Sequence, residues 1–217
     1  MSSPRSLVLL AVLLALAASP SVARAEGDAH AAQLFQLCQQ CHGTAGEGNH
    51  LSLAPNIAGL PEWYVLAQLQ NFKSGVRGTH PDDTAGLRMY PMSQTLKTED
   101  DMKAIAAYVA ALPVVRSAPT LTGGDPAHGA QLYAVCQTCH GPDGGGMQPM
   151  GSPRIAGQAD WYLLSSLQKF KAGTRGTYPN AAVMRGMAGT LPDEQAMKDV
   201  IAHIMSLGSK TAANAAK

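Results

Sequence analysis

The sequence predicts an all-α protein made of two tandem copies of one small domain. A long internal repeat carries this prediction, because residues 30–79 align with residues 128–177 at a constant offset of 98. Apolar residues in each copy recur at helical spacing, and neither copy shows the alternation of a strand. Further along, MYPMSQTL aligns with MRGMAGTL at an offset of 95, so the second copy is three residues shorter there.

The repeat also predicts the domain boundaries. The first domain covers residues 26–112 and the second covers residues 125–208, so each has about 90 residues, which is small for a domain. The Pro-, Gly- and Ser/Thr-rich stretch 113–124 between them is typical of a linker. Residues 209–217 are predicted to form a flexible tail.

Each domain is predicted to contain about three main helices. The first ends in a cysteine motif, the second begins near Trp63, and the third follows Thr98, a good N-cap residue before three acidic side chains. Long stretches rich in glycine, proline and polar residues separate these helices, and such loops do not form a core unaided. We therefore expect each domain to fold around a bulky apolar ligand.

The N-terminus has the pattern of a secretory signal peptide over residues 1–25. One early charge, Arg5, precedes an apolar run of 12 residues and then the stretch Ala23-Arg24-Ala25. The run is too short to span a bilayer as a helix, and no later segment is apolar enough to do so. The mature chain is therefore expected to lack a transmembrane segment and to lie in the periplasm.

The charge balance argues against nucleic acid as a partner. The chain has 16 basic and 15 acidic residues, and removal of Arg5 and Arg24 with the signal peptide leaves a net charge of −1. Nucleic-acid binding requires a basic surface.

All four cysteines belong to two C-x-x-C-H motifs. In the first motif Cys38, Cys41 and His42 stand at i, i+3 and i+4, so on a helix they share one face. Two thiols placed this way can add to the vinyl groups of a haem, whose iron the histidine then binds. The second motif consists of Cys136, Cys139 and His140. The sequence thus predicts two covalently bound haem c groups.

Three different uses of C-x-x-C fit less well. A thioredoxin-like redox pair occurs in a βαβ context, which is absent here. A four-cysteine zinc site would have to be shared across the linker. Disulfides are possible in an exported chain. A redox pair, a zinc site and a disulfide all leave unexplained why a histidine directly follows the second cysteine of both motifs.

Methionine is the expected sixth iron ligand, since a thioether favours a closed electron-transfer site. Two pairs occupy equivalent positions in a predicted loop between the second and third helices: Met89 with Met184, and Met92 with Met187. The residues alone do not separate these two pairs.

The chain resembles the dihaem cytochromes c of the c4 type over essentially the whole mature sequence. Beyond the attachment motifs, the resemblance rests on IAGLPEWYVLAQLQNFKSGVRG and IAGQADWYLLSSLQKFKAGTRG, and on a methionine seven residues before the leucine that precedes the last helix. It implies two tandem cytochrome c domains wrapped around haem. It also implies Met89 and Met184 as axial ligands with His42 and His140, and it leaves Met92 and Met187 as the second choice.

The resemblance implies further roles around the haem. The carbonyls of Pro55 and Pro153 are expected to accept a hydrogen bond from the ligating histidines, which would fix each ring. Apart from the resemblance, Arg77 and Arg175 are candidates to pair with haem propionates, and capping or surface roles are alternatives of equal weight.

The first and last helices of each domain are expected to cross where a small residue meets a larger ring. The small residues are Ala31 and Gly129, and the rings are those of Tyr108 and His203, where His203 departs from the aromatic pattern of the family.

In function, the resemblance implies a periplasmic electron carrier that is not an enzyme. It would accept electrons from a bc1-type complex or a dehydrogenase, deliver them to a terminal oxidase or reductase, and bind both redox proteins transiently. The alternative is a fixed dihaem subunit of a dehydrogenase, such as a sulfide-oxidising flavoprotein. A haem enzyme is the less favoured class, because no cysteine remains as a ligand and both copies offer methionine.

Overall fold

The computed structural model describes residues 20–215, and side chains over residues 29–207. Eight α-helices, one 3₁₀ turn and no β-strand occur within these limits, which confirms the all-α prediction. None of the described helices is long and apolar enough to cross a membrane. Residues 1–19 of the predicted signal peptide lie outside the described residues. The signal peptide, the domain limits and the tail stay predictions.

Each domain consists of four helices. The first domain comprises α1 (Pro20–His42), α2 (Glu62–Lys73), α3 (Thr84–Thr95) and α4 (Glu99–Ala111). The second comprises α5 (Pro126–His140), α6 (Asp160–Ala172), α7 (Pro179–Gly189) and α8 (Glu194–Ala215). Helix α4 packs against α1 and α2, and α8 packs against α5 and α6. The last helix of each domain therefore packs against the first two helices and buries the core between them.

Side-chain caps fix where the helices begin. Thr98 accepts a hydrogen bond from the backbone N–H of Asp101, whose carboxylate accepts one from the N–H of Thr98, so the predicted cap is a complete capping box. Asp125 caps α5 in a similar way, with Pro126 in the first turn.

The segments that carry the four candidate methionines are helices α3 and α7, so the prediction of a loop there is wrong. Glycine and proline in these stretches favoured a loop. Asp83 nevertheless caps α3 by accepting from the N–H of Gly86, and Pro179 stands in the first turn of α7, where its ring costs no hydrogen bond. Of the prolines in α3 and α7, Pro91 alone lies beyond the first turn of its helix.

The first and last helices cross where the sequence predicts. A Cβ at Gly129 would lie 1.9 Å from the carbonyl oxygen of Asp199 on α8, so only glycine fits this crossing. The ring of His203 packs at 5.1 Å from that of Tyr133. In the first domain Ala31 is buried at the equivalent place. The helices of the second domain therefore approach at a distance that no side chain tolerates.

The linker 113–124 contains no helix and lies against the second domain. The carboxylate of Asp160 at the start of α6 accepts hydrogen bonds from the backbone N–H groups of Thr120 and Leu121. The N–H of Ser117 donates to the carbonyl of Gly157. These bonds attach the linker to the domain that it precedes.

Candidate haem-binding sites

Both cysteine motifs form the last turn of the first helix of their domain. Cys38, Cys41 and His42 end α1, and the equivalent residues of the second domain end α5. Cys38, Cys41 and their counterparts in the second domain form no disulfide with one another. Among the described residues, no cluster of three or more His, Cys, Asp or Glu side chains suits a metal ion, so the cysteines do not converge on one zinc site.

A glycine after each histidine stops the helix and turns the chain beneath it. Gly43 and Gly141 have φ of +80° and +79°, in the left-handed region that glycine adopts without strain. A short loop then returns towards the histidine, closed by an isolated bridge between Asn49 and Ala54. The second domain has the same bridge between Met147 and Ser152.

This loop brings a proline carbonyl to each histidine. The Nδ1 of His42 lies 2.8 Å from the carbonyl oxygen of Pro55, and that of His140 lies 2.9 Å from the carbonyl oxygen of Pro153. Each histidine is 7% exposed. Burial lowers the pKa of both rings, and the proline hydrogen bond raises it only in part. The rings are therefore held neutral, with Nδ1 as donor and Nε2 left as a ligand.

The two pairs of methionines differ in burial. Met89 is half-buried and packs against the core of the first domain, and Met184 is also half-buried. Met92 and Met187, one turn further along α3 and α7, are each 39% exposed. Met89 therefore faces the core of its domain, and in both domains the Met89/Met184 pair is less exposed than the Met92/Met187 pair.

Five polar side chains form a cluster where the two domains meet, here called the arginine cluster. Tyr162 accepts hydrogen bonds from Arg175 at 2.9 Å and from Arg77 of the other domain at 3.4 Å. Gln68 and Ser166 each accept a further bond from the arginine of their own domain. Both arginines are buried, which excludes the surface role considered for them.

The arginine cluster favours an anion. The Nε atoms of Arg77 and Arg175 are buried without a hydrogen-bond partner, an arrangement that calls for an acceptor. Burial raises the pKa of the Tyr162 phenol, but the two guanidinium charges outweigh burial and lower the pKa to about 7. The propionate carboxylates of haem match this need in charge and in hydrogen-bonding capacity, so the residues present fit the cofactor.

Sequence reasoning missed the contacts between domains. Lys169 forms an ion pair with Asp83 at 2.7 Å, and Arg154 donates to the carbonyls of Ala58 and Gly59. A reciprocal pair of hydrogen bonds joins the Gln158 side chain to the backbone of Asn56. These residues have different counterparts in the other copy, so comparison of the repeats gave no indication of them.

The comparisons with known proteins decide the family. The family described as Cytochrome c matches residues 29–113 and again residues 126–208. The chain belongs to the cytochrome c family. A cytochrome c4 from Azotobacter vinelandii is 32% identical to it over 204 residues, which cover 86% of this chain and 92% of the relative.

Solved structures agree with this assignment. A reduced recombinant cytochrome c4 from Pseudomonas stutzeri superposes with a TM-score of 0.64 at 28% identity, over 82% of this cytochrome and 96% of that chain. A thiosulfate dehydrogenase (TsdBA) from Marichromatium purpuratum superposes with a TM-score of 0.69 at 30% identity, and there the match covers 82% of this chain but 39% of the other. The predictions of two tandem cytochrome c domains and of two covalent haem c groups are confirmed.

Proposed function

We propose that this cytochrome is a periplasmic electron carrier. His42 and Met89 are the axial ligands in the first domain, and His140 and Met184 are those in the second. The cysteine pairs Cys38/Cys41 and Cys136/Cys139 hold the haems covalently. One observation carries the proposal: in both copies the histidine after the second cysteine is buried, with its Nδ1 bound to a proline carbonyl.

The protein's part in electron transfer is to hold its ligands still. The haem iron supplies the exchange of one electron per site. Each histidine is fixed by its proline carbonyl, and each methionine stands on a helix rather than in a loop. With a histidine and a methionine as ligands in each domain, no iron position would stay open for a substrate, so we infer a carrier rather than an enzyme. Its redox partners then bind transiently, through small interfaces.

The choice of methionine is open to direct test. We expect Met89→Ala and Met184→Ala each to remove half of the long-wavelength methionine–iron absorption band while both haems stay covalently bound. The matched controls are Met92→Ala and Met187→Ala, one turn further along the same helices, and these should keep the band. The opposite pattern would assign the ligands to Met92 and Met187. Absence of covalent haem after expression with haem-maturation machinery would overturn the proposed function.

A second candidate is a fixed electron-transfer subunit of a dehydrogenase. The favouring observation is that a chain of the Marichromatium thiosulfate dehydrogenase contains a segment like this cytochrome, equal to 39% of its length. The haem sites would be the same and only the partner surface would differ. Purification from the native periplasm separates the two, because a carrier elutes free of other chains and a subunit elutes with a dehydrogenase in a fixed ratio.

A further inference from the structure

One peptide group connects the first haem site to the second domain. The carbonyl of the Pro55–Asn56 peptide accepts the hydrogen bond from His42 Nδ1 at 2.8 Å. The N–H of the same peptide donates to Oε1 of Gln158, in the second domain, at 3.1 Å. Asn56 and Gln158 are 3% and 8% exposed, so water does not compete for these bonds.

The Gln158 amide is held in one orientation. Its Nε2 donates to the carbonyl of Asn56 at 2.7 Å, and its Oε1 also accepts from the N–H of Ala159 at 2.9 Å. Flipping the amide would place an NH₂ group against two N–H donors. The oxygen of Gln158 therefore faces the Asn56 N–H, and the side chain of Asn56 is itself tied to the linker through Val115.

An acceptor at the N–H end of a peptide strengthens its carbonyl as an acceptor. Hydrogen bonds in a chain polarise one another, most strongly away from water. A stronger acceptor at Nδ1 raises the basicity of a ligating histidine. A more basic histidine stabilises ferric iron relative to ferrous iron, so the reduction potential falls.

The second haem site lacks the equivalent arrangement. His140 has its proline carbonyl, but the counterpart of Gln158 in the repeat is Leu60, which has no polar side-chain atom. The counterpart of Asn56 is Arg154, whose guanidinium points to carbonyls of the first domain instead. The two histidines thus have the same contact with a proline carbonyl. They differ at the other end of that peptide group, where Gln158 accepts a hydrogen bond from the N–H of Asn56 in the first domain.

We propose that Gln158 of the second domain is a positioning residue that lowers the reduction potential of the first-domain haem through the Pro55–Asn56 peptide. The proposal deepens the proposed function and rests on ligation of iron by His42. The placement of the two domains then contributes to the difference in reduction potential between the two haems, whose proposed ligands are otherwise the same. It also gives the second domain an influence on the first that does not require contact between the haems.

The test is Gln158→Met, which keeps the length of the side chain and removes the acceptor. Gln158→Leu is a second variant, with the side chain that the first copy already has at this position. In the haem-loaded full chain, we expect both variants to raise the potential of the first-domain haem and to leave that of the second unchanged. Spectroelectrochemical titration gives the potentials, and haem-methyl NMR signals assign them. The His42 Nδ1 proton should also move upfield, towards a weaker hydrogen bond.

Two controls separate a direct effect of Gln158 on the haem potential from a general weakening of the contacts between the domains. Lys169→Met removes an ion pair across the same boundary without touching the 55–56 peptide, and Leu60→Met makes the matched change in the other copy. Leu60→Met should leave the two potentials unchanged, and Lys169→Met, which leaves the Asp83 carboxylate unpaired, should not raise the potential of the first-domain haem. An equal rise in Lys169→Met, or unchanged potentials in both Gln158 variants with two haems bound, would overturn the inference. If His42 does not bind iron in the unmodified protein, the proposed function is overturned as well. Spectra of the unmodified protein show this before any variant is made.

Discussion

Single residues without side chains shape the haem sites. Gly48 has φ of +87°, and a Cβ there would lie 2.6 Å from the Asn56 nitrogen and 2.7 Å from the Pro55 carbonyl carbon. The loop can therefore return to His42 only because position 48 is glycine. Gly146 has the same role before Pro153, with a Cβ contact of 2.5 Å to the Arg154 nitrogen.

Gly48→Ala is expected to destabilise the protein by both strain and crowding. The positive φ costs an alanine about 1–2 kcal/mol, and crowding against rigid backbone adds about 1–3 kcal/mol. Gly123→Ala is the control, because Gly123 has φ of +80° with open space around it and so should show only the strain. Denaturant unfolding gives both free energies. Equal losses would show that the loop makes room for a side chain.

The sequence predicts some residues of the haem sites more directly than others. The cysteines and histidines follow from chemistry, because two thiols and an imidazole on one helical face have few other uses. The proline carbonyls rest on a family resemblance, since a carbonyl leaves no mark in a residue pattern. The choice between Met89 and Met92 depends on which side of α3 faces the core, and the sequence pattern predicts a loop there instead of a helix.

At the scale of elements, the crossing of the first and last helices differs between the domains. Helices α5 and α8 meet at Gly129, where an added Cβ would lie 1.9 Å from a backbone oxygen. Helix α1 packs against α4 and has the buried Ala31 at the aligned position, so that position already accommodates a methyl group. A small residue at the crossing was predictable from the family pattern, whereas the closer approach in the second domain was not.

Gly129→Ala is expected to force α5 and α8 apart and to cost roughly 3 kcal/mol of unfolding free energy. The matched change in the first domain, Ala31→Gly, should cost only about 1 kcal/mol, mainly through the lower helix propensity of glycine. Calorimetry of the haem-loaded chain measures both. Similar costs for the two variants would mean that the helices shift freely at the crossing.

The same helix pair is joined by a carboxylate whose ionisation should set the acid stability of the second domain. The backbone N–H of Asp125 and then the His128 side chain lower the pKa of Asp199 on α8. A depressed folded-state pKa stabilises the fold above the unfolded value of about 3.9, and this stabilisation is lost as the pH falls through the folded value.

Asp199→Asn should therefore flatten the fall of the thermal midpoint below about pH 4, the range set by the unfolded carboxyl pKa. The unmodified protein should lose stability steeply over that range. Asp100→Asn, which changes a side chain that is 93% exposed, should follow the unmodified curve. Parallel curves for all three proteins would show that the Asp199 hydrogen bonds are not linked to folding.

At the scale of the whole molecule, the repeat predicts two domains but not how they face each other. Some contacts across the boundary come from positions where the copies differ, such as Asn56 against Arg154 and Leu60 against Gln158. The arginine cluster instead joins Arg77 to Tyr162, at positions where the copies agree. Comparison of the copies therefore identifies the residues of the haem sites, but it does not separate the boundary contacts from other residues.

The polar contacts at this boundary should make the two domains unfold as one unit. Arg154 donates to carbonyls of Ala58 and Gly59, and Lys169 pairs with Asp83, which is 4% exposed. Removal of the lysine leaves a buried carboxylate unpaired, which costs several times more than loss of a surface pair.

We expect the double variant Arg154→Met/Lys169→Met to split a single calorimetric transition into two, because each domain keeps its own core. Lys171→Met is the control within one domain, since Lys171 donates to the carbonyl of Pro192, and it should shift the transition without splitting it. Two transitions already present in the unmodified protein would show that these contacts orient the domains without coupling their stability. The influence of Gln158 on the first haem would then depend on its hydrogen bonds alone.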